Sequence, residues 1–599
     1  MLYIMYKSTS LFATFASYQN FETMNGAKRI PYGISDFTDL RNKGCYYSDK
    51  THYIPQMEAA GDFLFLIRPR RFGKSMFLSM LAVYYDIARQ DKFDQLFDGL
   101  WIKDHPTEEK GKYQVMYFDF SQVNSGRNNL QDDFDQYCCI ILESFARKYS
   151  HLYDESFVET VKKLAPNSAA QLKFICNEAK QIGHQLYLII DEYDNFTNNV
   201  LNEEGEQVYH ALTHATGFYR EIFKVYKANF QRILMMGVSP VTLDDLTSGF
   251  NIALNITANP RFNMMLGFSE NEVRQMIAYY QQAGLIQTNA DDLIAEMKPW
   301  YDNYCFAEES LKTDPKMFNS DMVLYYLRNY IDFGTSPKNM LDSNTRTDYK
   351  KLKRLVQLNG MSDKERGYIQ QIAAEGCIVA ELHSSFPAER IFDEGNFVSL
   401  LYYYGMLTIV GTHGVRLVLG IPNNNVRKQY YEYLLTEYRQ SMRMNLDDLI
   451  DTYDNMAFDG KWLDAFKFIA EKYAEVASVR NGMEGERNLQ GFVMSMFSLC
   501  SYYLMLPEIE MAHGYCDIFL LPDKIHFKDT AHSYILELKY LSEKDTDAKA
   551  DEQWQTAIEQ VRKYANDRKV QHLSQGTELH LICMQMRTTE LLRIEEIDK

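Results

Sequence analysis

Short, unbroken apolar runs recur through the first half of the chain. Phe63-Leu64-Phe65-Leu66-Ile67, Tyr113–Phe120, Leu186–Ile190 and Ile233–Val238 read as strands buried on both faces of a parallel sheet. Met76–Tyr85, directly after the first run, has helical spacing, and Ser269-Glu270-Asn271-Glu272 has the pattern of a helix start. Such spacing dominates 269–385. Asn396–Tyr404 predicts a helix, and Leu407–Val410 and Val415–Leu419 predict a hairpin around Gly411-Thr412-His413-Gly414. Residues 428–478 look helical and connective. Phe492–Leu506 predicts an apolar helix, Gly514–Leu521 a strand, and Leu579–Met584 a last strand. Between them Ser533–Lys539 alternates, which puts Glu537 and Lys539 on one face of a strand. The pattern is α/β at both ends with a helical middle, without internal repeats or low-complexity tracts.

Composition narrows this. The 599 residues predict roughly four units at about 150 residues each. With 63 basic and 81 acidic residues the net charge is −18, which excludes coating nucleic acid by bulk charge and leaves room only for a local basic track. Nine cysteines without a Cys-x-x-Cys pair, and with Cys138 and Cys139 adjacent, predict buried thiols in a reducing cytoplasm rather than a disulfide scaffold. The stretches Asn396–Val415 and Gly491–Pro507 are too interrupted to span a bilayer, so no membrane segment is expected. Residues 1–23 carry too short an apolar stretch for a signal peptide, and Met24 opens the patterned sequence; translation is expected to begin there.

Two stretches carry chemistry. The first strand runs into Arg68-Pro69-Arg70-Arg71-Phe72-Gly73-Lys74-Ser75 and then a helix, the setting of a phosphate-binding (Walker A) loop. There the backbone from Arg70 to Ser75 would cradle phosphate, Lys74 would reach the outer phosphates and Ser75 would bind magnesium. Arg68 stands where the pattern has its first glycine, a place where a side chain resists positive φ. Leu186–Ile190 ends in Asp191-Glu192, a Walker B-like pair: Asp191 to hold magnesium, Glu192 to polarise the attacking water. Ser239, at the end of Ile233–Val238, is either a γ-phosphate sensor or a serine opening a turn before Pro240. Near the C-terminus Asp517 precedes Glu537-Leu538-Lys539 by about twenty residues. Two carboxylates can hold a divalent metal there, magnesium or manganese by the hardness of oxygen ligands, while lysine orients the water that attacks a phosphodiester.

YSDKTHYI (47–54), FLIRPRRFGKSMFLSML (65–81), YLIIDEYDNF (187–196) and MGVSPVTLDDLTSGFNIALNIT (236–257) resemble bacterial AAA-ATPase-like proteins that carry a C-terminal PD-(D/E)XK nuclease-like domain. The resemblance implies a P-loop NTPase parallel sheet, a helical middle and a C-terminal restriction-endonuclease-like α/β domain. It implies ATP as cofactor, and it accommodates the Arg68 form of the loop. It also implies a further acidic metal ligand at Glu486 and matches the family's Q-x-x-x-Y element to Gln560 and Tyr564. Arg261 is the candidate arginine finger. The expected layout is an extension (1–24), the ATPase-like domain (25–268), a lid (269–385), a winged-helix-like or packing region with a helical linker (386–478) and the nuclease-like domain (479–599). The expected function is an ATPase coupled to a metal-dependent nuclease on DNA or RNA, in a possible homo-oligomer. The alternatives are a nucleotide-dependent switch or scaffold whose nuclease-like domain binds a partner without cutting, and an ATPase without a nuclease role.

Overall fold

The computed structural model describes residues 26–123, 130–203, 208, 218–241, 253–313, 316–337, 339–342, 363–387, 390, 393, 395–439, 441–442, 446–479, 483–511, 514–524 and 526–599. The expected start at Met24 lies outside them.

Five strands, β1 (Phe63–Ile67), β2 (Tyr113–Asp119), β3 (Gln185–Asp191), β4 (Arg232–Gly237) and β5 (Leu254–Asn255), form a wholly parallel sheet in the order β2-β3-β4-β1-β5. Alternate side chains of each run enter different cores, which is why the runs are apolar throughout. Leu64, Leu66, Tyr187, Ile189, Leu234 and Met236 pack with α1 (Lys74–Tyr85) on one face. Phe65, Ile67, Leu188, Ile190, Ile233 and Met235 pack on the other face, against the helices at Leu130–Lys148, Ser168–Gln181 and Phe218–Asn229. All nine cysteines are free thiols.

After the parallel sheet come the short strand β6 (Phe268–Ser269) and α2 (Glu270–Gln282), where a lid is expected over 269–385. Ser269 and Glu272 form the capping box that the sequence predicts. Glu272 also receives the Lys50 ammonium and the Ser48 hydroxyl, so the YSDKTHYI stretch is tied to α2 by a part-buried ion pair. Further on, β7 (Met317–Phe318) pairs with β6 and leads into α3 (Ser320–Phe333).

The helix-and-hairpin prediction holds and gains a strand. β8 (Cys377–Ala380), α4 (Asn396–Tyr403), β9 (Thr408–His413) and β10 (Arg416–Gly420) build a three-stranded antiparallel sheet ordered β8-β10-β9 beside its helix. This module packs behind the phosphate loop. A Cβ on Gly405 would lie 2.8 Å from Pro69, and the Tyr402 hydroxyl donates to the Phe306 carbonyl.

The C-terminal sheet follows α5 (Glu486–Phe497): β11 (Tyr503–Met511), β12 (Gly514–Pro522), β13 (His532–Leu541), then α6 (Asp547–Ala565), β14 (Glu578–Arg587) and β15 (Glu590–Glu596). Strand order equals chain order; only β13 and β14 run parallel, joined by α6. Here the predicted helix Phe492–Leu506 is corrected. The helix stops at Phe497, where the Ser495 and Ser498 hydroxyls bond back to backbone carbonyls, and Tyr503 onward pairs with β12.

Arg68 settles the loop geometry. The positive φ values of the loop fall on Arg71 (67°) and Gly73 (86°), not on Arg68. The Arg68 side chain is fully buried instead and donates to the carbonyls of Ile67, Thr257 and Phe262 at 2.8–3.0 Å. Its guanidinium carbon lies 4.2 Å from the Phe306 ring centroid, a cation–π contact. Burial pulls its pKa down to about 10, still cationic at neutral pH. Truncation would take a donor from three carbonyls and leave a cavity beside them. Arg68→Gly, which recreates the glycine of the general loop pattern, is therefore expected to destabilise the ATPase-like sheet by about 3–5 kcal/mol. Chemical denaturation checks this; an unchanged or raised midpoint would show that the arginine is dispensable.

Candidate functional site

The phosphate loop lines a cavity of about 500 Å³. Arg70, Arg71, Phe72, Gly73, Lys74 and Ser75 form its floor, and Glu192 and Asn195 come from the end of β3. Leu266, Met276 and Leu324, with Pro31, Ile34 and Tyr46, line an apolar side, and Asp321 stands beside Arg71. Such a mixed lining suits a ligand with a polar and a flat apolar end. The loop tip is clamped: the Arg71 carbonyl accepts from the Ser320 hydroxyl and the Asp321 N–H at the start of α3, and the Arg71 guanidinium pairs with the Asp321 carboxylate at 2.5 Å. Phe72 sits edge-on to Tyr304 and Phe306.

Lys74 is buried, and its ammonium donates to the Arg68 and Pro69 carbonyls, both at 2.9 Å. Burial lowers its pKa, opposed by the charges of Glu192 and Asp191. Asp191 is hydrogen-bonded by Ser75 and by the Tyr117 hydroxyl. Desolvation raises it to about 6. Glu192 adopts a left-handed backbone (φ 50°), uncommon outside glycine and asparagine, and its carboxylate accepts from Asn195. Lys74, Ser75, Asp191 and Glu192 thus stand together as the sequence predicts.

Three predicted residues stand apart from the cavity lining: Asp191, which lines a neighbouring cavity with Ser75, and Ser239 and Arg261. Ser239 is fully buried; its N–H donates to Asp194 at 2.7 Å, and its hydroxyl is engaged by Tyr404 and Val241. Asp194, two residues beyond Glu192, also receives the Val238 N–H, and a Cβ on Gly237 would fall 2.3 Å from it. Arg261 is exposed on the turn Pro260–Phe262.

The C-terminal set converges more tightly. Asp517 lies one step past the last paired residues of β12 and β13, Ile518 and Leu536, and its carboxylate accepts the Leu538 N–H at 2.7 Å. Glu537 is buried and its Oε1 accepts from Lys539 at 2.8 Å. Glu486, the first residue of α5, lies 3.9 Å from the same ammonium. On α6, Gln560 hydrogen-bonds Tyr564, which is buried. Burial, then mutual repulsion, drives Asp517 well up; burial also raises Glu537, against the pull of Lys539. The Lys539 pKa rises because the three carboxylates outweigh its own desolvation. Among the described residues Glu537 Oε2 is buried without a hydrogen-bond partner. A desolvated carboxylate cluster with an orphaned oxygen fits a hard divalent cation, which would replace the missing positive charge.

Residues 31–247 match the family model described as predicted AAA-ATPase, and residues 484–596 match that of the PD-(D/E)XK nuclease superfamily. The chain joins an AAA-ATPase-like domain to a PD-(D/E)XK nuclease-like domain. It is also similar, at 26% identity over 290 residues, to a protein described as an uncharacterized protein in the vnfD 5' region of Azotobacter chroococcum mcd 1. That match covers 47% of this chain, which spans about half the length of the relative, 50%.

Sequence reasoning missed parts of both domains' sites. In the ATPase-like domain it passed over Asp194, although it lies inside YLIIDEYDNF, and Asp321, which contacts the loop only through tertiary structure. In the nuclease-like domain it passed over Gln490, whose amide donates to the Asp517 carbonyl at 2.9 Å. Its one available signal was helical spacing from Glu486.

The Asp191 environment has a measurable consequence. Its carboxyl keeps its proton up to about pH 6 in the folded chain, against an ordinary 3.8. Between these values the folded state binds more protons than the unfolded one, so this group's contribution to stability falls as pH rises. The gap corresponds to about 3 kcal/mol. Relative to wild type, Asp191→Asn should gain stability progressively from about pH 4 to about pH 6 and then level off. Scanning calorimetry of both proteins over that range checks it; parallel pH profiles would mean that the carboxyl ionises without penalty.

Proposed function

We propose that the chain couples ATP binding and hydrolysis to metal-dependent cleavage of phosphodiester bonds in DNA or RNA. The observation that carries this reading is the convergence of Glu486, Asp517, Glu537 and Lys539 around an unpartnered buried carboxylate oxygen. Asp517 and Glu537, with Glu486, would hold magnesium or manganese. Lys539, fixed between carboxylates, is positioned to hold and orient a water and to stabilise charge on an attacked phosphate. The bound ion supplies Lewis acidity and a lowered pKa for that water.

In the ATPase-like domain Lys74 would hold the outer phosphates once released from the Arg68 and Pro69 carbonyls. Ser75 and Asp191 would hold the magnesium of the nucleotide, and Glu192, braced by Asn195, would polarise water. Coupling rests on a physical connection. Asp194 and Ser239, beside this site, meet Tyr404 of the helix-and-hairpin module. One continuous apolar core runs from β1 and β3 through α4 to α5 and β13. This favours a packing role for the module over DNA contact.

Nucleic acid would meet this acidic chain at a local surface only. No helix among the described residues is long and apolar enough to cross a membrane. The free thiols suit the cytoplasm, and a homo-oligomer in which copies share the phosphate site belongs to the same reading.

Purified full-length protein should cut at least one member of a DNA and RNA panel when Mg²⁺ or Mn²⁺ and ATP are present. Lys539→Ala should lower the rate at least about 100-fold while the protein stays folded. Lys74→Ala should abolish ATP turnover and change cleavage as well. If wild type binds nucleic acid but cuts none of the panel, the reading reduces to a nucleotide-dependent switch. If cleavage is indifferent to Lys74→Ala, the two domains work independently.

A further inference from the structure

A second cluster lies on the opposite face of β13 from Glu537 and Lys539, five residues and about 16 Å along the strand. The parallel register sets His532 beside Glu578 and Tyr534 beside His580, so the four side chains share one face. His532 Nδ1 and His580 Nε2 lie 2.9 Å apart, and Glu578 Oε2 is 3.6 Å from His532 Nδ1. One ligand atom from each of the three residues falls within 4.8 Å of the other two.

The hydrogen-bond count leaves this cluster short of positive charge. His580 Nδ1 sits 2.7 Å from the Glu596 carboxylate, whose second oxygen accepts the Trp462 indole N–H. His532 also hydrogen-bonds the Phe458 carbonyl. Three acceptors (Glu596, the Phe458 carbonyl and His580 Nε2) therefore face two neutral imidazoles, which carry one N–H each. One cation resolves the deficit, either a shared proton or a metal ion.

Three features favour the metal. Histidine ligands to zinc characteristically bond their second nitrogen to a carboxylate or a backbone carbonyl, and each ring has one of these. The two nitrogens face each other across 2.9 Å, and a separation wider by about 0.4 Å gives the edge of a zinc tetrahedron, about 3.3 Å for bonds of about 2.05 Å. The rings are also held in place: Tyr534 stacks on His580 at 4.8 Å, and a Cβ on Gly460 would come within 2.8 Å of His532.

We propose that His532, His580 and Glu578 bind a divalent transition-metal ion, zinc by the chemistry of its donors, with Glu596 as the outer carboxylate. Two nitrogens and one carboxylate oxygen exclude a magnesium-type oxygen cage. The ion fastens the C-terminal sheet to the helical segment before it, which already touches the same place through Trp462, the Phe458 carbonyl and the bond from Ala531 N–H to the Ala457 carbonyl. Solvent reaches the fourth position beside Glu578, which is exposed.

The test is a Co²⁺ titration of chelator-stripped full-length protein in excess Mg²⁺, which occupies oxygen-only sites. The expected result is one Co²⁺ per chain with the strong visible absorption of a tetrahedral nitrogen-containing site, displaced by Zn²⁺. His532→Gln and His580→Gln should abolish the absorption, Glu596→Gln should weaken binding about 10–100-fold, and Glu537→Gln should leave it intact. Should the histidine variants misfold, the exposed Glu578→Gln is expected to weaken binding at least about tenfold. Absence of the absorption in wild type would leave the histidines sharing a proton and overturn the proposal. So would its survival in every folded variant of the cluster, or its loss in Glu537→Gln.

Discussion

A charge held in the interior shapes the phosphate loop. The general loop pattern uses glycine so that backbone can turn and approach phosphate; this chain spends a full-length arginine in the same place. Among the described residues Arg68 has no carboxylate partner beneath the loop. Its two terminal nitrogens donate to carbonyls from β1 and from the turn regions at Thr257 and Phe262, and the guanidinium lies over the face of Phe306, while Nε is buried without a hydrogen-bond partner among the described residues. The Thr257 and Phe262 carbonyls belong to segments nearly 200 residues away in sequence, so the loop is completed by the turn that follows β5. The strained turn moves to Arg71, whose carbonyl is then held by the start of α3. The loop is thus braced on one side by the sheet and on the other by the start of α3, so a shift of α3 bears directly on the loop.

The nuclease-like domain uses the opposite device. Its site concentrates negative charge at a point where β12 and β13 part. Asp517 takes the N–H of Leu538 with its side chain, which accounts for the backbone group that strand separation frees. Glu537 follows at the adjacent position of β13, in reach of Lys539 by the two-residue period of the strand. One ammonium cannot balance three carboxylates at low dielectric, and the raised pKa values of Asp517 and Glu537 express that imbalance.

What the sequence made legible follows from range. Strands buried on both faces, the capping box at Ser269, the phosphate loop, Asp191-Glu192 and Glu537-x-Lys539 are each written in contiguous residues, so local periodicity finds them. Asp321, Asp194 and Gln490 act through contacts with segments far from them or through backbone bonds that leave no pattern. Phe492–Leu506 was misread because an apolar helix followed by an apolar edge strand has one continuous hydropathy; only the serines at 495, 498 and 501 mark the break. Arg68 shows the converse limit. A departure from a glycine pattern reads as a weakness until the carbonyls that receive the side chain are known.

The helical middle bears on how the two sites can communicate. Tyr402, Tyr403 and Tyr404 are consecutive and all buried or nearly so; Tyr402 and Tyr403 lie by Arg68 in the apolar core, whereas Tyr404 faces Ser239 and Asp194. Through Tyr404 the module touches the strand end beside Glu192, and through the core that contains α4 it reaches the helices packed under β13. A tightly packed interior transmits displacement because it has few voids to absorb it. A shift in β4 or the loop would therefore have to move α4 or break its contacts. By the same reasoning the face of β13 that bears His532 is the one packed against the helical segment, through the Tyr534 bond to the Met456 carbonyl. An ion there would stiffen the junction through which any such displacement must pass, while Glu537 and Lys539 lie on the other face of the strand. One strand thereby separates support from chemistry by its two-residue alternation.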